Sequence, residues 1–323
     1  MAACTIPSSR CSASRVPRTV VLHPGALGDV LLAVPALRAL RTAAPGGELV
    51  LAAQPRIAAL LASLAVVDRD VAFDTLGLES LFTEADDASE RVRCLLVGAR
   101  VVSWFGAGDA TFARRLPALV PGAVIASSAP PPETAVWRHL VATAGAPMGP
   151  EDAGRDPIPV PKTMLDEGRR ALAAAGWNGV SRLVMIHPGA GGTRKRWPPA
   201  RFAAVAERIV HACGVEIVVH AGPADDEAVA ALRSALGVPA RALADAPLTT
   251  LAGVLGHVAL WIGNDSGVTH LAASLGVPTV ALFVPDNARW MPWARRVRAL
   301  LMGPATADGA VDAVVDAGRD LLR

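Results

Sequence analysis

Apolar positions along this chain come in two kinds of block that alternate. The first kind is a short continuous run such as "TVVLH" (19–23), the pattern of a strand covered on both faces. The second is spaced at three and four residues. In "DVLLAVPALRALR", Val30, Leu31, Val34, Leu37 and Leu40 recur at helical spacing, with Pro35 near a first turn or at a kink. The succession continues with strand 47–53, helix 56–64, strand 66–73, a helix around 78–95, strand 99–105 and a long helix 133–145 ending at Gly145. After a Pro- and Gly-rich stretch, "APMGPEDAGRDPIPVPK" (146–162), it restarts: helix 163–175, strand 182–187, helix 198–213, strand 215–222, helix 225–236, a short strand near 240, helix 248–258, strand 260–264, helix 268–276 and strand 278–283. The closing "GAVDAVVDAGRDLLR" (309–323) predicts a last helix. Strands alternating with helices imply parallel sheets wound in βαβ units, hence an α/β fold with two doubly wound, Rossmann-like domains.

A repeat supports that division. "VVLHPGALGDV" (20–30) returns as "VMIHPGAGGTR" (184–194), so the tetrapeptide HPGA occurs at His23–Ala26 and at His187–Ala190. Each copy closes a strand and precedes a helical pattern. In such sheets ligands bind at the carboxyl ends of the strands. Two such domains facing each other would present both junctions to one cleft. The expected organisation is an N-terminal domain over 19–150 and a C-terminal domain over 151–323, each with its own core, after a disordered extension over 1–18.

Composition narrows the function classes. The chain of 323 residues is 52% hydrophobic and 19% charged, with a net charge of +2, which gives no electrostatic case for nucleic acid. No run of about 18 apolar residues predicts a membrane span. Cys4, Cys11, Cys94 and Cys213 form no CxxC pair, which fits a reduced, cytoplasmic protein. Of 31 basic residues only Lys162 and Lys195 are lysine, leaving 29 arginines. A lysine kept between Arg194 and Arg196 in so arginine-rich a chain is a candidate for a specific task, because a compact ammonium and a forked guanidinium are not interchangeable at a phosphate.

Three stretches could carry chemistry. In "GNDSGVTHLAASLG" (263–276) a strand runs through Asp265, Ser266 and Gly267 into a helix, where amide N–H groups make an anion site and His270 lies one turn in. The competing reading is that Asp265 or Ser266 caps the helix and His270 packs in the core. In "GAGGTRKRWP" (189–198) the glycines free the backbone to wrap a phosphate, and Thr193 and Lys195 can donate to it; the alternative is a solvated surface loop. Two phosphate-friendly junctions in one domain suggest a diphosphate. In "GALGDV" (25–30), Gly25 and Gly28 shape an acceptor-side loop and Asp29 stands at a helix mouth, either as an ordinary N-terminal acid or as a base facing the other domain. The "DRD" at Asp68–Asp70 lies in a strand-like stretch and is set aside as a metal clamp. No GxGxxG follows the first strand, which disfavours a dinucleotide-dependent oxidoreductase.

Taken together, "GALGDVLLAVPALRALR", "IHPGAGGTRKRWPPARFAAVA" and "NDSGVTHLAASLGVPTVALF" resemble glycosyltransferase family 9, the heptosyltransferases of lipopolysaccharide core assembly. The resemblance covers most of residues 19–300. It implies the GT-B fold, a mainly N-terminal acceptor site, a C-terminal donor site, no metal and no cofactor, and inversion at the anomeric carbon. By position, Asp29 resembles the general base and Lys195 the lysine on the donor phosphates, with Thr193 nearby. Asp265, Ser266, Gly267 and His270 resemble the donor loop and its helix, and Asp226 or Glu227 the acid on the donor ribose. The implied substrates are a nucleotide-sugar, ADP-heptose by family default, and a glycan or lipid-glycan acceptor. A monomer is expected, and the acceptor would allow peripheral contact with the inner membrane face. The closing helix in this fold often crosses back to the first domain.

The sequence also departs from the family. Thr134 stands where the family often carries His, and residues 76–132 are poor in lysine, without the cationic cluster expected for a phosphorylated lipid acceptor. These departures leave the acceptor open. Competing readings are a non-catalytic nucleotide-sugar-binding or assembly protein and another GT-B-like nucleotide-sugar enzyme such as an epimerase, which would need further carboxylates in the cleft.

Overall fold

Five parallel strands, β1 (Arg18–Leu22), β2 (Glu48–Ala53), β3 (Arg69–Ala72), β4 (Arg100–Ser103) and β5 (Val124–Ile125), form a first sheet in the order β3-β2-β1-β4-β5. Six more, β6 (Leu183–His187), β7 (Glu216–Ala221), β8 (Ala240–Ala244), β9 (Val258–Asn264), β10 (Thr279–Phe283) and β11 (Val297–Leu301), form a second in the order β11-β10-β9-β6-β7-β8. Every pairing is parallel, with Val21 opposite Leu51 and Val102, and Ile186 opposite Val219 and Ile262. The computed structural model describes residues 16–84, 87–147, 154–302 and 309–323. Of the extension expected over 1–18, residues 1–15 lie outside the described residues.

The central strands are apolar along their length because helices cover both faces. Around the first sheet are α1 (Leu27–Leu32), α2 (Val34–Ala43), α3 (Pro55–Ser63), α4 (Glu90–Leu96), α5 (Ala110–Leu119) and α6 (Val136–Thr143). Around the second are α7 (Lys162–Ala174), α8 (Pro199–Cys213), α9 (Asp226–Ala235), α10 (Leu248–Leu255), α11 (Gly267–Ser274) and α12 (Ala310–Leu322). The helix expected from Asp29 through Arg41 breaks at Ala33, and Pro35 sits in the first turn of α2, where its missing N–H is not needed. The expected helix over 78–95 is a 3-10 turn at Leu78–Leu81 and the separate α4, which Ser89 caps by accepting from the Val92 N–H. Helix α5 and strands β5 and β11 were not expected from the pattern. The acid pair set aside as a metal clamp is structural at Asp68, which accepts from Arg41 and from the Leu49 N–H.

Each sheet does not keep its core to itself. Outward faces have separate clusters: Leu22, Leu96, Phe112 and Leu116 on the first sheet, and Ile186, Phe202, Ile209 and Val314 on the second. The inward-facing helices share one cluster, in which Leu31, Leu37 and Leu60 join Leu172, Leu251 and Leu271. At about 1.5–3 kcal/mol for each fully buried aliphatic side chain, that shared layer stabilises the packing of the two sheets against each other. The linker is fastened as well: Arg38 donates to the Asp156 and Pro157 carbonyls, and the Ile158 N–H to Ser274 O. Helix α12 packs on α8, β9 and β10 and so closes the second sheet. Cys213 carries a free thiol. Among the described residues no helix is long and apolar enough to cross a membrane.

Candidate functional site

Strand order reverses between β1 and β4 in the first sheet and between β6 and β9 in the second, so a crevice opens at the carboxyl ends of these pairs. The two HPGA junctions leave β1 and β6, at those points. Helices α1 and α11 bring the crevices together. A Cβ on Gly267 would lie 2.8 Å from Leu27 Cβ, and one on Gly28 would lie 2.9 Å from the His270 ring. Only residues without side chains let the two helix starts approach this closely. Between them lies a cavity of about 240 Å³, lined by Gly28 and Asp29 from the first sheet's junction and by Gly191, Lys195, Asp265, Ser266, Gly267 and His270 from the second's.

Asp265 is the centre of the second wall. It is buried, and its carboxylate meets Lys195 Nζ at 2.9 Å, accepts from Asn287 Nδ2 at 2.6 Å and stands 3.9 Å from His270 Nε2. Ser266 caps α11 by accepting from the Thr269 N–H, so the capping reading holds for it while the residue also lines the cavity. His270 is packed edge-on against Phe283 and held neutral: burial lowers its pKa, against the pull of Asp265. It is therefore both a core residue and a cavity wall.

Asp29 forms the first wall. One carboxylate oxygen accepts from the Ala26 N–H at 3.2 Å, the capping role anticipated as its alternative. Burial pushes its pKa up, opposed by the Ala26 N–H, a hydrogen bond from the Trp290 side chain and the Lys195 charge. Burial thus makes this carboxylate a stronger base than a solvated one, which suits it to take a proton.

The remaining expected residues are less central. Thr193 is exposed at the start of the 3-10 turn Thr193–Lys195 and does not line the cavity. Asp226 and Glu227 are exposed on the first turn of α9, where Glu227 pairs with Arg196 at 3.2 Å. The buried acid of that loop is Asp225. It accepts from the Gly222 N–H at 2.8 Å, and Gly189 approaches so closely that a Cβ there would overlap its carboxylate. Asp225 thus ties the β6 and β7 loops together. Gly25 packs on the His23 ring and accepts no side chain for that reason.

Three residues not singled out in the sequence complete the site. Asn264 is fully buried at the end of β9; its Oδ1 accepts from the Trp197 N–H at 3.0 Å and its Nδ2 donates to Pro188 O at 2.8 Å. It brackets the Lys195 loop at both ends. Asn287 and Trp290 enter the cavity from the 3-10 turn Pro285–Trp290. Asn264 adjoins the recognisable "DSG", a signal that could have drawn attention to it. Asn287 and Trp290 carry no such signal. There are two further cavities among the described residues. One of about 700 Å³ shares Lys195 and Asn287, and one of about 390 Å³ lies at the carboxyl ends of β7 and β8, between Arg56 and Pro247.

A family model for glycosyltransferase family 9 (heptosyltransferase) matches residues 115–309. The chain is 34% identical over 134 residues to lipopolysaccharide heptosyltransferase 3 of Escherichia coli, covering 40% of this chain and 38% of that protein. The aligned stretch therefore spans less than half of that relative. Among solved structures, a glycosyltransferase family 9 protein from Veillonella parvula superposes with a TM-score of 0.76 at 20% identity, covering 95% of this chain and 97% of that one. The E. coli ADP-heptose lipopolysaccharide heptosyltransferase II superposes with a TM-score of 0.69 at 19% identity, covering 94% and 98%. The last two likenesses establish the fold, GT-B.

Proposed function

The chain belongs to glycosyltransferase family 9, and from that premise we propose that it is a metal-independent, inverting glycosyltransferase moving heptose from ADP-heptose to a hydroxyl of a lipid-glycan acceptor on the cytoplasmic side of the membrane. One observation supports this most: Asp29 from the first sheet and Lys195 with the α11 start from the second line the same cavity. The base and the cations that such a reaction needs therefore face a common space.

In this reading Asp29 takes the proton of the acceptor hydroxyl as its oxygen attacks the anomeric carbon from the face opposite the diphosphate. The carbon–oxygen bond to the acceptor forms, the bond to the phosphate breaks, and ADP leaves. Lys195 and the N–H groups at Ser266 and Gly267 stabilise the charge that gathers on the departing diphosphate. Asp265 holds Lys195 in place before the donor arrives. Since Lys195 supplies the fixed cation, the reading assigns no metal to this task. Thr193 would reach the phosphates only if its exposed turn folded inward. The adenosine end is assigned to the cavity at the ends of β7 and β8, with Asp226 or Glu227 near its ribose.

A thermal-shift series tests the donor half. ADP at 100 times its Kd should add roughly 2.7 kcal/mol of stability, and ADP-heptose should then yield ADP when acceptor is present. Stabilisation by NAD(H) with none from any nucleoside diphosphate overturns the reading. Stabilisation by ADP-heptose without transfer to any glycan favours the non-catalytic binder instead.

A further inference from the structure

Near its carboxyl end, strand β7 carries a buried histidine that the proposed reaction does not use. His220 lies against His187 of the second HPGA junction, with the two Nδ1 atoms 3.1 Å apart. The Trp261 ring packs on both imidazoles at 5.8 Å. Burial holds both rings neutral, so each has one nitrogen that donates and one that accepts. His187 Nδ1 also stands 3.4 Å from the His220 carbonyl, which can only accept. His187 therefore carries its proton on Nδ1. Asp225 Oδ2 is 3.9 Å from His187 Nε2, too far to claim that proton through a hydrogen bond. The facing Nδ1 of His220 must then be the accepting nitrogen, and the His220 proton sits on Nε2. That Nε2 has no hydrogen-bond partner among the described residues, yet it is not sealed in. His23 Nε2 of the first HPGA copy is one of the unpartnered nitrogens shut off from solvent, and His220 Nε2 is not among them. His220 is only 2% exposed and lines the cavity of about 390 Å³ at the carboxyl ends of β7 and β8, so its N–H opens there. Arg56 and Asp245 line the same cavity as exposed side chains, while Ala221, Leu251 and Val268 give it apolar walls. An apolar cavity of this size with a buried donor suits a heterocyclic base.

We propose that His220 is a specificity-determining contact for the donor base, its Nε2–H donating to an unprotonated ring nitrogen of adenine in this cavity. This contact rests on the transferase reading above and sharpens its placement of the adenosine end. His187 acts one step back as a positioning residue. Its Nδ1–H, shared between the His220 carbonyl and His220 Nδ1, imposes the tautomer that makes His220 a donor on the cavity side. Selectivity follows from that polarity. Adenine joined through N9 has bare nitrogens at N1, N3 and N7 and no ring N–H. A base edge that presented an N–H at the same place would face the His220 N–H and leave both donors unmet.

Calorimetry with ADP and its 1-deaza, 3-deaza and 7-deaza analogues tests the contact, each analogue replacing one ring nitrogen by C–H. In the wild-type chain one of the three should bind about three- to tenfold more weakly than ADP, the loss of one neutral hydrogen bond. His220→Phe keeps a ring and removes the N–H. It should bind ADP more weakly by the same factor and no longer distinguish that analogue from ADP. His220→Gln, which places an amide N–H near the position of Nε2, should bind ADP within about twofold of wild type. In transfer assays the donor KM should rise in His220→Phe while kcat stays within about twofold. Nitrogen NMR of the imidazole rings needs no ligand and no variant fold: His220 should be protonated on Nε2 and bare on Nδ1. A proton on Nδ1, equal binding of ADP and all three analogues, or an analogue penalty that persists in His220→Phe overturns the proposal and leaves the transferase reading standing. A wild-type chain that binds no nucleoside diphosphate sinks both, an outcome told apart from the others by the absence of ADP binding itself.

Discussion

Replacing Asn264 by Ala should loosen the second wall of the site from within. The amide of Asn264 is fully buried and bridges two backbone groups, the Trp197 N–H at 3.0 Å and the Pro188 carbonyl at 2.8 Å. The variant strands both groups at a fully buried position. At about 1–3 kcal/mol for each unmet buried partner, the loss comes to roughly 2–6 kcal/mol. Asn264→Asp should recover little of it, since it keeps the acceptor for Trp197 but sets a carboxylate oxygen against the Pro188 carbonyl. Urea unfolding followed by circular dichroism measures the loss directly. Because Pro188 and Trp197 bracket the loop that carries Lys195, ADP affinity should fall with stability even though Asn264 does not line the cavity between the two walls. A stability loss below about 1 kcal/mol, with ADP affinity unchanged, would refute the view that this amide holds the loop.

Two further outcomes follow from the same geometry. Lys195→Ala should weaken ADP binding about ten- to a hundredfold, the loss of one charge-assisted hydrogen bond of about 1.5–3 kcal/mol, as read by calorimetry; unchanged affinity would remove Lys195 from the donor site. Burial lowers the pKa of His23 to about 4 and of His220 to about 3 from an ordinary 6.5, so the unfolded chain takes up protons that the fold refuses. Stability should therefore be full above pH 6.5 and fall as pH drops toward 4, by an amount on the order of 3 kcal/mol for His23 alone. Urea midpoints at pH 7.5, 6 and 5 check the slope, and a flat profile would contradict it.

Most of the frame was legible because buried parallel strands leave unbroken apolar runs, and the repeated HPGA marked both β1 and β6 ends. What escaped had physical reasons. Strand β11 lies at a sheet edge and is only partly covered, so "VRALL" carries no continuous apolar signal, and β5 has two residues. Helix periodicity runs smoothly through Ala33 and gives no warning that the chain turns there. In "DDE" three acids follow one another, and which of them is buried depends on Gly189, 36 residues earlier in sequence and invisible to local pattern. Asp29, Lys195, Asp265 and His270 could be named from their motifs. Asn287 and Trp290 could not, since a turn aimed by Trp293 stacking on Trp137 is a tertiary fact.

Asp29→Asn puts the central claim to its most direct test. The substitution preserves shape and the acceptor for the Ala26 N–H but abolishes the base. Donor affinity measured by calorimetry with ADP-heptose should stay within about threefold of wild type. Single-turnover transfer should drop by about 10²–10⁴, the usual contribution of a positioned base. Wild-type turnover in this variant would contradict the account, because the proton would then be leaving the acceptor by another route.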